Sequence, residues 1–183
     1  MLKRIFDWTA GILTLVIFGP VMQGRMQKQE ALDRGRAMMA DAGLAGVEHN
    51  YPGEVSSGMR RRVEIVRALM NDPKVLLLDE PFRALDSLTK SVMHEALLEI
   101  YYKNKVTIFF ITHDLEEAIF LGHRVAIMTT RPCRPKKLLT VDIPHPRDYS
   151  VLTSKRFREL MQETSEAVHE EARKAFQAGE KEG

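Results

Sequence analysis

Two neighbouring carboxylates, Asp79 and Glu80, close the run Lys74-Val-Leu-Leu-Leu-Asp-Glu-Pro81. Adjacent acids repel unless a cation or a bound substrate makes use of them, so the economical reading gives them separate roles. Asp79 would hold Mg²⁺ through water, and Glu80 would polarise an attacking water. The same pair also suits a plain cap of the following helix or a solvated turn. A second stretch with chemical potential is Val55-Ser-Ser-Gly-Met-Arg-Arg-Arg-Val63. Ser56 and Ser57 are N-cap residue types, and Gly58 lets another group come close to the backbone. With Met59 they open a helix whose free N–H groups carry roughly half a positive charge, which suits a phosphate. A simple capped helix is the alternative. The third residue is His113, in Ile111-Thr-His-Asp114. It follows an apolar run and can reach a terminal phosphate if that run ends at the same sheet edge; otherwise it is structural.

These residues need elements to hold them. Four consecutive apolar residues, Val75 to Leu78, are too few for a helix and read as a strand buried on both faces of a parallel sheet, with helices on either side. Pro81 lacks an N–H and helps stop pairing. Ligands bind at the carboxyl ends of such strands. Val106 to Ile111 is predicted as a second strand of the same kind, Arg124 to Met128 as a third, and Lys137 to Ile143 as a short alternating one. Helices are predicted from Met26 to Ala42 with Gly43 at the C-cap, and from the Ser-Ser-Gly start to about Met70, with Met59, Val63, Val66 and Met70 on one face. Another runs from an Asp86 or Ser87 cap to about Tyr102, with Leu88, Val92, Leu98 and Ile100 as its apolar side. Glu116 to Leu121 is a short helix. Thr153 or Ser154 caps a long final helix in which Phe157, Leu160, Met161, Val168, Ala172 and Phe176 recur at three- and four-residue steps. That helix covers the sheet or, less simply, meets a partner.

Composition narrows the class without adding chemistry. With 183 residues, 44% hydrophobic and 28% charged, the chain has an ordinary globular composition. A net charge of +2 leaves no nucleic-acid footprint, and the single Cys133 cannot form an internal disulfide. Met1-Leu-Lys-Arg4 and the apolar run Gly11 to Phe18 resemble parts of a secretory signal, but the run is too short to span a bilayer, Asp7 sits between the basic start and the apolar part, and no small-x-small cleavage site follows before Gln23-Gly24-Arg25. It is expected to be a buried segment of a domain whose beginning lies elsewhere.

Taken in order, these stretches carry a resemblance. Ser56-Ser57-Gly58-Met59 resembles a divergent ABC signature and Leu76 to Glu80 a Walker B. Ala84-Leu85-Asp86 resembles a D-loop and Ile111-Thr112-His113-Asp114 an H-loop. The chain is similar to the ATPase subunits of ABC importers, most of all the nitrate, sulfonate, taurine and bicarbonate group. Glu117 to Leu121, Arg131-Pro132 and Ile143 to Asp148 also resemble that group's C-terminal half. The resemblance implies a partial P-loop NTPase (ABC ATPase) α/β fold: a parallel sheet flanked by helices, a helical subdomain and a C-terminal helix. It places a helical signature subdomain at 1–72, the second half of the RecA-like core at 73–149, and an amphipathic helix with a frayed tail at 150–183.

What the resemblance implies for function is specific. ATP and Mg²⁺ are the expected cofactors, with Asp79 on the metal, Glu80 as general base and His113 at the γ-phosphate. Ser56, Ser57, Gly58 and Met59 would close on ATP held by a second ATPase subunit, and Asp86 would order the dimer seam. Ser57 stands where the family has glycine, Arg61 and Glu64 stand where less charged residues are usual, and Arg83 replaces a small residue. Transmembrane permease subunits, and indirectly a substrate-binding protein, are the implied partners. The implied location is cytoplasmic, on the inner face of the membrane through the permease. No glycine is followed by lysine, so the sequence contains no Gly-x-x-x-x-Gly-Lys phosphate loop, and the Q-loop glutamine is also missing. A split gene, a truncated gene model, a decayed copy and a deliberate fragment all remain open. A chain of this kind is expected to be inactive alone. The alternative is a non-catalytic module that lends its signature helix to a complete subunit.

Overall fold

The connector at 48–50 supplies the acceptors that start the first helix. Asn50 and Glu48 carbonyls accept from the N–H groups of Ile12 (2.8 Å) and Leu13 (3.0 Å), two donors that the helix cannot satisfy itself. Gly11 is required there, because a Cβ would lie 2.3 Å from the Asn50 carbonyl oxygen. The computed structural model describes residues 11–24, 26–83 and 85–179. The basic start at Met1 to Arg4, Asp7, Ala84 of the Ala-Leu-Asp stretch and the end of the tail lie outside the described residues.

The chain divides into two compact units, with the boundary between Phe109 and Phe110. The first contains α1 (Gly11–Met22), α2 (Lys28–Asp41), α3 (Ser57–Leu69), β1 (Val75–Asp79) and α4 (Ser87–Asn104), and it includes the start of β2 (Thr107–Ile111). The apolar run read from the sequence as a buried segment is α1, with Ile12, Leu13, Val16 and Ile17 in the core. It packs on α2 and α3. Gly35 permits the close α1–α2 approach, since a Cβ there would lie 3.0 Å from Ile17 and Leu13. Val63, Val66, Leu69 and Met70 complete the buried face of α3. Between α3 and β1 the link is pinned by an ion pair from Arg34 to Asp72, whose backbone is left-handed at φ 48°.

β1 and β2 form a two-stranded parallel sheet, the arrangement that a crossover helix such as α4 imposes. The strands predicted as buried on both faces are covered on one only. Leu76 is 5% exposed, whereas Val75 is 52%, Leu77 72% and Phe109 60% exposed. The continuous apolar run correctly located the strand but not its surroundings, because burial depends on what packs from elsewhere. A similar correction applies to α4, where Leu88 and Val92 are exposed and Met93, Leu97, Leu98 and Ile100 are buried.

The second unit holds α5 (Leu115–Leu121), β3 (Arg124–Met128), β4 (Pro135–Thr140) and α6 (Lys155–Gly179). β3 and β4 pair antiparallel, from Arg124 opposite Thr140 to Met128 opposite Pro135, so the last strand begins two residues before its predicted start. Ser154 Oγ accepts from Phe157 N (3.1 Å) at the start of α6. Phe157, Leu160 and Ala167 are buried where α6 packs on α5 and β3, but Val168 and Phe176 are exposed. The apolar stripe is therefore used only along the first half of the helix.

Candidate functional site

At the exit of β1 the backbone turns sharply. Glu80 adopts a left-handed conformation, φ 45°, and its carbonyl accepts from Arg83 N at 3.1 Å. For a residue with a Cβ that conformation costs about 1–2 kcal/mol, so the surroundings must impose it. They do so from two sides. Phe82 is fully buried, its ring centroid 4.9 Å from that of His94, and this anchors the turn to α4. Arg61, on α3, donates Nε to the Pro81 carbonyl and Nη2 to the Glu80 carbonyl (3.4 Å), while its Nη1 pairs with Glu64. Asp79 is exposed at the strand end and Glu80 is half-buried.

The start of α3 lies in the same unit. Ser56 is its N-cap and accepts from Met59 N at 3.2 Å; the Ser57 side chain is exposed. The space opened by Gly58 is taken by α4, since a Cβ would lie 3.0 Å from Thr89 Cγ2. Thr89 in turn donates its N–H (2.9 Å) and hydroxyl (2.6 Å) to Asp86, the N-cap of α4. Those bonds, the hydroxyl first, hold the Asp86 carboxyl below its ordinary range. The fold thus brings Ser56 to Met59 and Asp86 together through one threonine, and links the same helix to Glu80 through Arg61.

His113 belongs to the second unit, exposed just beyond β2. Its neighbours are fixed: Asp114 N donates to Thr112 Oγ1 (3.0 Å), and that hydroxyl donates to the buried Glu117 (2.8 Å). Asp114 Oδ1 caps α5 by accepting from Glu116 N (3.0 Å) and Glu117 N (3.3 Å). Farther along, His123 and His145 stack at 4.3 Å, and burial, then the nearby Arg147 charge, pushes His123 below its usual range.

The sequence reading missed Arg61 as a clamp, although it had marked the residue as unusually charged for its place. It also missed Glu117 and Arg147, because their partners are backbone carbonyls or a hydroxyl that no spacing rule identifies.

Asp79 and Glu80 thus stand at the end of a parallel strand joined to its neighbour by a crossover helix, and the structural neighbours of this fold are ABC ATPase cassettes of the P-loop NTPase kind. A family model described as ABC transporter matches residues 13–83. An aliphatic sulfonates import ATP-binding protein of Bacillus cereus is 48% identical over 117 residues, 64% of this chain and 45% of that protein. A nitrate import ATP-binding protein of Synechocystis is 43% identical over 140 residues, 76% of this chain and 52% of that one. Among solved structures, a dimeric post-hydrolysis ATP-binding cassette bound to ADP and Pi superposes with a TM-score of 0.58 at 26% identity, over 74% of this chain and 58% of that one. The chain thus carries an ABC transporter domain match over residues 13–83 and is similar to the ATP-binding subunits of sulfonate and nitrate importers. It spans about half the length of the curated relatives it matches.

Proposed function

We propose that this chain is the signature-helix and strand-end portion of the ATP-binding subunit of an importer for a small anion such as sulfonate or nitrate. The observation that carries the reading is the left-handed Glu80 behind Asp79, clamped by Arg61 from the helix that starts at Ser56. Strain of that kind is kept where a side chain must be aimed. Asp79, an exposed oxygen donor, fits Mg²⁺, which is commonly held by one or two carboxylates with water and substrate phosphates. When bound, the ion would offset charge on the phosphates. Asp79 would hold it and Glu80 would orient and deprotonate water; His113, in the second unit, has its role as a donor to a phosphate oxygen from the family likeness alone. The N–H groups at Ser57 to Met59 would face the nucleotide on a second ATPase subunit, with Ser56 holding the cap and Asp86 the seam. A permease would keep the assembly on the inner face of the membrane; among the described residues no helix is long and apolar enough to cross it.

Phosphoryl transfer relies on positioned donors, and loss of one commonly costs about 10² to 10³ in rate. A chain with no glycine-rich phosphate loop in its sequence should therefore turn ATP over no faster than buffer. The test is light scattering on the chain mixed with an intact sulfonate-importer subunit, with and without Mg·ATP. A nucleotide-dependent 1:1 complex that is lost in Ser57→Trp is expected. Association indifferent to nucleotide, or Mg-dependent turnover by the monodisperse chain that Glu80→Gln abolishes, would defeat the respective claims.

A further inference from the structure

The second unit carries two histidines that the proposed function does not use. His123 lies between α5 and β3, and His145 lies in the segment beyond β4. Their rings stack with centroids 4.3 Å apart and planes 28° from parallel. One cation ties the two backbone stretches together. Arg147 Nη1 donates to the Gly122 carbonyl (2.9 Å), next to His123, and Nη2 donates to the Ile143 carbonyl (2.9 Å), two residues before His145. Val141 N closes the same seam on the His123 carbonyl at 2.9 Å. Arg147 is buried and permanently charged, whereas His123 is exposed and His145 half-buried, so protons reach the rings while the guanidinium stays pinned.

A first proton would put an imidazolium beside that fixed guanidinium, and a second would set two like charges one ring stack apart. The surrounding charges do not relieve this. Arg124, next to His123 on β3, is another cation. Asp142, just past β4, is held by Arg156 of α6 (2.6 Å), a bond that keeps its carboxyl below the ordinary range, and Glu159 of α6 shares the same Arg156. Asp148 accepts from Ser150 N (2.8 Å), and the neighbouring Tyr149 packs on Phe120. Glu116 and Glu117 belong to the first turn of α5, at the end away from Gly122. Lys136 and Lys137 lie toward the far end of β4 and pair with acids of α6. Burial first, and the Arg147 charge second, lower His123. Among the described residues no group of three His, Cys, Asp or Glu side chains is placed to hold a metal ion.

We propose that the His123–His145 stack is a proton-sensitive latch, which closes the 143–147 segment onto the end of α5 and the start of β3 while both rings are neutral and opens when one takes up a proton. Linkage sets the sign. A histidine held below its unfolded value of about 6.5 stabilises the fold fully above that pH, and the contribution fades as pH falls from there toward the folded value. The latch is independent of the nucleotide reading, since both rings lie in the second unit.

The test uses the full chain. Imidazole NMR between pH 8 and 5 should show the stacked rings titrating at lower pH than the same two residues in the urea-unfolded chain, with a transition broadened by their coupling. Between pH 7.5 and 5.5 the Val141 amide, which closes on His123, should lose at least tenfold in hydrogen-exchange protection, corrected for the intrinsic rate. A double variant, His123→Phe with His145→Phe, keeps two stacked rings and the other four histidines, and its Val141 protection should change less than twofold. The proposal is overturned if the pair titrates as it does in urea, if Val141 protection is level in the parent, or if the double variant loses as much. Should that variant fail to fold, the two measurements on the parent decide.

Discussion

Replacing Arg147 with methionine is expected to destabilise the second unit by about 3–5 kcal/mol, because it leaves several buried carbonyls without a donor at about 1–3 kcal/mol each, less what water recovers. The side chain is buried and donates six hydrogen bonds to five backbone carbonyls: Ile119 (3.0 Å), Phe120 (2.9 Å), Gly122 (2.9 Å), Val141 (3.3 Å) and Ile143 (3.2 and 2.9 Å). Three of these acceptors lie at the C-terminal end of α5, where the helix dipole also favours a cation. At about 1.5–3 kcal/mol per charged bond the naive sum would rival the whole stability of a domain, so the bonds cannot be additive. The cost of desolvating the guanidinium offsets much of that sum. Methionine matches the aliphatic volume but leaves the carbonyls without their donor, whereas Arg147→Lys restores some of the donations and should cost about half as much. Urea unfolding followed by circular dichroism, with linear extrapolation to water, measures both. An Arg147→Met variant within 1 kcal/mol of the parent would refute the reasoning, because it would mean that water replaces the guanidinium at those carbonyls.

Three other perturbations follow from particular residues. Glu80→Gly releases a left-handed strain of about 1–2 kcal/mol against about 0.5–1 kcal/mol of added chain entropy. It should therefore be up to about 1 kcal/mol more stable than Glu80→Ala, which loses the same side chain but keeps the strain, and a melting temperature below that of Glu80→Ala would contradict this. Gly43→Ala forces a Cβ to φ 66° and to 2.8 Å from Arg62 Nη1, a group that donates to the Ala42 carbonyl; a loss of about 1–2 kcal/mol is expected by chemical denaturation. Lys136 and then Lys174 pull Glu170 down to about 2, and Lys136 first also lowers Glu171. Depressed carboxylates stabilise the fold fully above their unfolded pKa, and that contribution fades as pH falls from about 4.5 toward 2. Melts of the parent and Lys136→Gln should therefore differ at pH 7, draw together below about pH 4.5 and converge only as the pH passes below about 2; a constant gap would count against the network.

By itself, the sequence located almost every element and the order of the motifs. The cap residues Ser56, Asp86, Asp114 and Ser154 act within a few positions of themselves, and a short apolar run bounded by Pro73 and Pro81 defines β1 through local stereochemistry alone. The family likeness was readable for the same reason, since its motifs are contiguous. Only the tertiary structure decided which face of each apolar element is used. Leu77 and Leu76 are the same residue type one position apart, yet one is in solvent and the other in the core, because successive strand residues face opposite sides and only tertiary packing decides which side is covered. Only the fold, likewise, could make Arg61 a clamp on Glu80, Thr89 the filling beside Gly58, and Arg147 a buried pin. Most of their partners are backbone atoms or side chains 19 or more residues away, and such contacts leave no periodic trace along the chain.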